Sequence, residues 1–189
     1  MKAIKAGYSS VMYDGSHLSL DENIKNTKKI VKLSKNHGVS VEGEVGVIAG
    51  KEDEIINMTN KYPTFNQALR FVDETNIDFF APAIGTAHGF YDSEPDIQWS
   101  LVKDLIKIKT NFVLHGVTGV SQKDLKTFVS LGYKKFNYAT GLRSEFRNGI
   151  IKNIDASGTS TKPQKYLKEG KSKVYEFVKK VIKELDLNE

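Results

Sequence analysis

The sequence predicts an α/β fold of parallel strands alternating with helices, and three observations predict it. Five short runs are rich in β-branched and aromatic residues and are bounded by turn residues. Between them lie stretches with apolar residues at helical spacing. The polar residues closing the five runs, Asp14, Glu44, His88, His115 and Asn137, fall at intervals of 30, 44, 27 and 22 residues, close to one strand–helix unit each.

The first strand is residues 8–13 (YSSVMY), ended by Asp14-Gly15-Ser16. Ser19 and Glu22 then form a capping box, in which each side chain satisfies the other's free backbone amide. The helix behind them carries Leu20, Ile24 and Val31 on one side and stops at His37-Gly38. Residues 39–45 (VSVEGEV) are the second strand. A polar stretch, 46–63, follows, and a loop that long in a small domain is expected to be mobile and functional. Thr64 and Gln67 make a second capping box ahead of Phe65, Ala68, Leu69 and Val72. The third strand is 79–84 (FFAPAI), where Pro82 cannot donate to a ladder.

A helix with Trp99, Val102 and Ile106 on one face leads to the fourth strand, 112–115 (FVLH). Ser121 caps the next helix, which bears Leu125, Phe128 and Val129. The fifth strand is 135–138 (KFNY). A helix over about 142–154, a Ser/Gly/Thr/Pro loop at 155–163 and a final helix complete the pattern. Residues 1–189 read as one domain, with 155–189 as its closing loop and helix.

Composition narrows the functions. The chain has no cysteine, which excludes a thiol nucleophile and Cys-ligated zinc. No apolar run approaches the ~20 residues of a membrane span, and no secretory leader pattern opens the chain, so a cytoplasmic protein is expected. The net charge of +5 is concentrated late, where residues 162–183 hold eight lysines against Glu169 and Glu176. Without an Arg-and-aromatic run this reads as a solvated helix face, and nucleic acid is not the expected partner.

In parallel α/β folds the site lies beyond the carboxyl ends of the strands. A lone histidine or carboxylate there has a structural explanation. Asp14, Glu44, His88 and His115 at four successive strand ends fit either a metal site or an acid–base site. His88 and His115 lie on different strands and converge only if the sheet curves. Gly89 and Gly116 follow them, where glycine lets a ligand approach the amide. Gly116-Val117-Thr118-Gly119 and Asn137-Tyr138-Ala139-Thr140-Gly141 end the last two strands, where barrels hold phosphate through amides and hydroxyls. His17 and His37 read as structural. Lys135 begins its strand, so it is not expected to form a Schiff base.

Together the segments SVMYDGSHLSLDENI, VEGEVGVIAGKED, APAIGTAHGFY, FVLHGVTGV and KKFNYATGLR resemble the class II, metal-dependent ketose-bisphosphate aldolases, in family order and from about residue 3 onward. The resemblance implies a (β/α)₈ barrel, zinc as a Lewis acid, and reversible cleavage of a ketose bisphosphate such as fructose 1,6-bisphosphate to dihydroxyacetone phosphate and an aldehyde. It implies that His88 and His115 are metal ligands. Glu44 matches a carboxylate holding the metal in an alternate position, with Asp14 beside it. Glu52, in GKED, matches a proton-transfer acid on the mobile loop. Gly89, Gly116, Thr118, Asn137, Ala139 and Thr140 match positions that bind the substrate and its phosphate.

The departures carry consequences. Val117 replaces a common glycine and is expected to crowd the phosphate, and Gly141 stands where an acidic residue is common. The family's Asp-His pair, which supplies one zinc ligand and a proton-handling aspartate, has no counterpart, because no Asp-His dipeptide occurs in the sequence. A whole barrel takes ~250 residues. The chain therefore resembles the carboxyl-terminal five-eighths of an aldolase, an incomplete barrel of about five strands, with the side chains of Val11, Val41, Ala83 and Val113 expected in the barrel interior. Weak turnover, and association with further copies or with a complementing amino-terminal fragment, are the expectations. The competing expectation is a remnant that binds metal or phosphate without turnover.

Overall fold

A computed structural model describes residues 2–52, 55–57, 61–90, 94–157 and 161–185, the side chains of 49–52, 55–57 and 155–157 excepted. A short helix α1 (Lys2–Lys5) precedes β1 (Ser10–Tyr13). Ser19 caps α2 (Leu20–Lys35) with its hydroxyl on the Glu22 amide, and the Glu22 carboxylate returns to the Ser19 amide. Then come β2 (Ser40–Val45), β3 (Ala49–Glu52) and β4 (Ile55–Asn57). Thr64 and Gln67 close the second capping box, on α3 (Phe65–Thr75). The chain continues through β5 (Phe79–Pro82), β6 (Ala87–His88), α4 (Trp99–Leu105), β7 (Asn111–Leu114) and a 3₁₀ turn at Val117–Gly119. Ser121 caps α5 (Gln122–Ser130), and β8 (Lys135–Phe136), α6 (Thr140–Ser157) and α7 (Pro163–Leu185) follow. Pro163 opens α7 where a missing amide hydrogen costs nothing.

The main sheet has the order β1-β2-β5-β7-β8, and every pairing in it is parallel. These five strands, separated by helices, make a half-barrel with β1 and β8 as its edges. Pro82 sits at the end of β5, and Ala83 supplies the missing bond to the Val45 carbonyl at 3.0 Å.

Strand alternation divides the sheet into two unlike faces. Val41, Gly43 and Val45 turn toward the helices: a Cβ on Gly43 would lie 2.9 Å from the Phe71 ring of α3. The helix side holds a run of aromatic contacts, Phe71–Phe80–Phe112–Tyr133–Phe128–Trp99, with successive centroids 4.8–6.0 Å apart. Burying that aromatic surface is a large contribution to stability. The opposite, inner face carries Met12, Glu42, Glu44, Ala81, Val113 and Lys135, as the registers require. Val11 and Val41, expected on the inner wall, instead lie on the helix side, since both alternate with inner-facing neighbours.

The stretch 46–63 contains secondary structure where a plain loop is expected. β3 pairs antiparallel with β4, and on its other side runs parallel to β6, placing Ala49 beside Ala87 and Gly50 beside His88. Val47 and Lys61 exchange amide–carbonyl bonds of 2.8 and 2.9 Å and pin the base of this arm. Its mobility, and residues 53, 54 and 58–60, lie outside what is described. α6 begins at Thr140 and continues to Ser157, so it takes up residues expected in the loops on either side.

α6 and α7 form an antiparallel hairpin whose crossing depends on absent side chains. A Cβ at Gly149 would stand 2.7 Å from the Glu169 carbonyl oxygen and 2.8 Å from the Gly170 Cα. Gly149→Ala raises intrinsic helix propensity by about 1 kcal/mol, yet should lower the thermal midpoint, because overpacking against backbone costs about 1–3 kcal/mol. A scanning calorimetry or circular dichroism melt checks the sign.

Candidate active site

The inner face of β2 is where the sequence departs from ordinary core chemistry. Alternation puts Glu42 and Glu44 on the same side, both buried. They face His115, which follows β7 and is also buried. His115 Nε2 donates to Glu42 Oε1 at 2.7 Å, and Nδ1 lies 3.2 Å from Glu44 Oε2. The second Glu42 oxygen accepts from Lys135 Nζ at 2.5 Å. Behind β2, Asn23 of α2 donates to the Glu44 carbonyl at 2.8 Å and fixes the strand end.

The charges of this group are mutually sustained. Burial opposes charge on His115, but the hydrogen bonds and attraction of Glu42 and Glu44 outweigh it and push its pKa up to about 9. Burial likewise opposes charge on Glu42, and the bonds from His115 and Lys135 hold its carboxyl below the usual carboxylate range.

A cavity of about 380 Å³ opens beside this group at the carboxyl ends of the strands. His88, Gly89, His115, Gly116, Thr118, Asn137, Ala139 and Thr140 line it, joined by Phe136 and Tyr138. The His88 and His115 ring centroids are 6.1 Å apart. Gly116 has φ +65°, and a Cβ there would lie 2.4 Å from the Ala87 carbonyl oxygen, so only glycine permits the turn. The Gly141 amide, in the first turn of α6, donates to the Thr118 hydroxyl at 3.2 Å and ties the two glycine-bearing loops together.

Other expected residues stand elsewhere. Glu44 reaches the site through His115 and does not line the cavity. Asp14 is exposed after β1, where it accepts the Ser16 amide at 2.8 Å. The Glu52 side chain lies outside the described residues; its backbone is in β3, two residues beyond the rung with His88. Val117 does not crowd the cavity. It is 1% exposed and packs into the helix-side core, because the 3₁₀ turn rotates it inward. Gly141 stands where a side chain would meet Phe177 of α7 at 2.7 Å. His37 Nδ1 pairs with the Leu33 carbonyl at 2.9 Å, a helix-end role.

Sequence reasoning missed Glu42 and Lys135. The i, i+2 spacing of Glu42 and Glu44 was a readable signal for the first. For the second there was no local signal, since the Lys135–Glu42 contact spans 93 residues.

Among the described residues no three His, Asp or Glu side chains gather into a complete metal site. The donors present still suit a divalent cation. Two ligands on one tetrahedral zinc, with bonds of ~2.0–2.1 Å, stand about 3.3 Å apart, close to the His115–Glu44 separation of 3.2 Å. A carboxylate on the other ring nitrogen is the usual support of a metal-bound histidine.

The His115 shift gives opposite pH trends for stability and for metal affinity. The His115 value in the folded state lies above its ordinary 6.5. Its stabilising contribution is therefore complete below about pH 6.5 and is lost as pH rises through about 9. Urea midpoints of the metal-free chain should fall across that interval, and His115→Gln should flatten the fall. Affinity for a divalent cation held by His115 should rise across it, because the cation must displace the proton.

The sequence matches, over residues 1–189, the family described as Fructose-bisphosphate aldolase class-II. It is 38% identical over 185 residues to the 6-phospho-5-dehydro-2-deoxy-D-gluconate aldolase of Shouchella clausii, covering 97% of this chain and 62% of that protein. The Bacillus subtilis enzyme of the same name is 36% identical over 184 residues, with 97% and 63% covered. The YdjI aldolase of Escherichia coli K12 superposes with a TM-score of 0.82 at 32% identity, covering 97% of this chain and 63% of that one. The fructose-bisphosphate aldolase of Campylobacter jejuni shares the fold, with a TM-score of 0.74 at 22% identity over 97% and 63% of the two chains. The chain thus spans a little over three-fifths of the length of these relatives, and it belongs to the class II fructose-bisphosphate aldolase family.

Proposed function

We propose that this chain supplies the metal-holding and phosphate-holding part of an aldolase site that splits a phosphorylated keto-sugar between its α and β carbons. The observation carrying this reading is the single cavity that has His88 and His115 together with Gly116, Thr118, Asn137, Ala139 and Thr140 in its lining. The Gly116 turn, the Thr118 and Thr140 hydroxyls and the Asn137 amide suit the oxygens of a phosphate and its neighbouring hydroxyl. His88, His115 and Glu44 would hold zinc or a similar divalent ion, which when bound supplies Lewis-acid polarisation of the substrate carbonyl.

The remaining work falls to the chain itself. Glu42 and Glu44 orient the His115 ring, and Asn23 fixes the strand end that carries Glu44. Cleavage requires a base to take the β-hydroxyl proton as the carbon–carbon bond breaks and its electron pair moves toward the carbonyl. It also requires an acid to protonate the three-carbon fragment. We assign one of these transfers to Glu52, on an arm whose strand β3 is laddered to the strand of His88. No Asp-His dipeptide occurs in these 189 residues, so the second proton-handling group that the family resemblance implies is not among them.

Fructose 1,6-bisphosphate and 6-phospho-5-dehydro-2-deoxy-D-gluconate both carry a carbonyl beside a phosphorylated CH₂. Cleavage between the α and β carbons releases dihydroxyacetone phosphate from either. The relatives at 36–38% identity favour the second substrate, whose other product bears a carboxylate. The alternative reading, binding without turnover, is favoured by the missing Asp-His pair. Association with further copies, or with strands that extend β1 and β8, would satisfy the sheet edges.

Titration of residues 1–189 with dihydroxyacetone phosphate, with and without Zn²⁺, tests the site. Zinc-dependent binding that His115→Ala abolishes is expected, and no binding in either condition ends the proposal. Turnover is tested by assaying both substrates. Cleavage should be abolished by a chelator, and turnover by this chain alone should fall well below the 1–10³ s⁻¹ of ordinary enzymes. Wherever turnover is measurable, Glu52→Ala should lower kcat about 10²–10⁴-fold while leaving dihydroxyacetone phosphate affinity nearly unchanged.

A further inference from the structure

We propose that Lys135 is a positioning residue for the metal-facing side of His115, acting through Glu42; this rests on the metal reading of the cavity. Three strands contribute the parts, β2 and the neighbouring pair β7 and β8. Glu42 comes from the middle of β2, His115 from the end of β7 and Lys135 from the start of β8. β5 lies between β2 and β7, and its inner-facing residues there include Ala81, paired with Glu44. Glu42's own rung on β5 holds Phe79, so its carboxylate reaches diagonally across β5 to His115 and Lys135.

The geometry leaves Glu42 little choice of orientation. One carboxylate oxygen accepts from His115 Nε2 at 2.7 Å and the other from Lys135 Nζ at 2.5 Å. With both oxygens engaged, the carboxylate cannot rotate without losing a charge-assisted bond. A fixed acceptor at Nε2 keeps a proton on that nitrogen and leaves Nδ1 to face Glu44, 3.2 Å away. The tautomer and the ring plane of His115 are thereby set in part from the edge strand β8. Remove the lysine, and the second oxygen of a carboxylate whose side chain is 2% exposed loses its ammonium donor. The carboxylate is then free to turn. Lys135 itself is 44% exposed, so its effect on metal affinity should sit at the low end for such outer partners.

The test compares wild type, Lys135→Met, Lys135→Arg and Glu42→Gln, each as the full 189-residue chain. Co²⁺ affinity is read by chelator competition and coordination by the visible absorption of Co²⁺. Lys135→Met should bind Co²⁺ about 10-fold more weakly, with an altered spectrum, and Glu42→Gln about 10–100-fold more weakly. Lys135→Arg, which keeps a cationic donor, should recover most of the affinity and the spectrum. A folded Lys135→Met with wild-type affinity and spectrum overturns the inference. Should that variant not fold, the wild type decides alone: ¹⁵N spectra of the Zn²⁺-loaded chain should show His115 protonated at Nε2 and coordinated at Nδ1, and the reverse assignment overturns it. Wild type that takes up neither Co²⁺ nor Zn²⁺ instead overturns the metal reading on which this rests.

Discussion

Two carboxylates and an imidazole are buried on one face of a five-stranded sheet, and much of the architecture answers the cost of putting them there. Isolated in a protein interior, any one of these groups would shed its charge. Here Glu42, Glu44 and His115 satisfy one another, with Lys135 closing the set from the sheet edge. Such a network tolerates no loose member, since removing one partner strands a charge. That requirement explains why the strand carrying both carboxylates sits inside the sheet and is held from behind by the buried Asn23.

The division of the sheet into faces follows from the same constraint. Apolar burial is concentrated on the helix side, where aromatic rings run from α3 through β5 and β7 to α5 and α4. That packing provides stability without involving the inner face, which is left free for chemistry. The α6–α7 hairpin follows the same economy of space: Gly149 lets two backbones approach where a side chain would hold them apart.

Much of this was legible in the sequence, and the parts that were not share a cause. The capping boxes at Ser19/Glu22 and Thr64/Gln67 announce their helices, because caps are local chemistry. The five parallel strands were readable from short apolar runs between turn residues, and His88 and His115 from their places at the strand ends. Residues that depend on distant pairing were harder. The arm β3–β4 has no clean alternation in AGKEDEIIN, and its strands exist because β3 finds β6. That Val11 and Val41 face the helices is not legible in the sequence, because absolute facing is set by what covers a strand, not by its own pattern. Lys135, at the start of its strand, is poorly placed for a nucleophile, and its contact with Glu42 has no local signature in the sequence.

The two-rung ladder between β3 and β6 has a consequence for accuracy of assembly. Side chains in a strand alternate, so a slip of one residue would turn His88 away from the cavity and Ala87 toward it. Two rungs, Ala49–Ala87 and Gly50–His88, are weak insurance against such an error. The backbone of Gly116 supplies a stop from the other side, packed so close to the Ala87 carbonyl that a Cβ would fall 2.4 Å from it. Register at His88 is therefore proofread by a glycine 28 residues downstream. A glycine whose obvious use is to admit a ligand also keeps the neighbouring histidine in step.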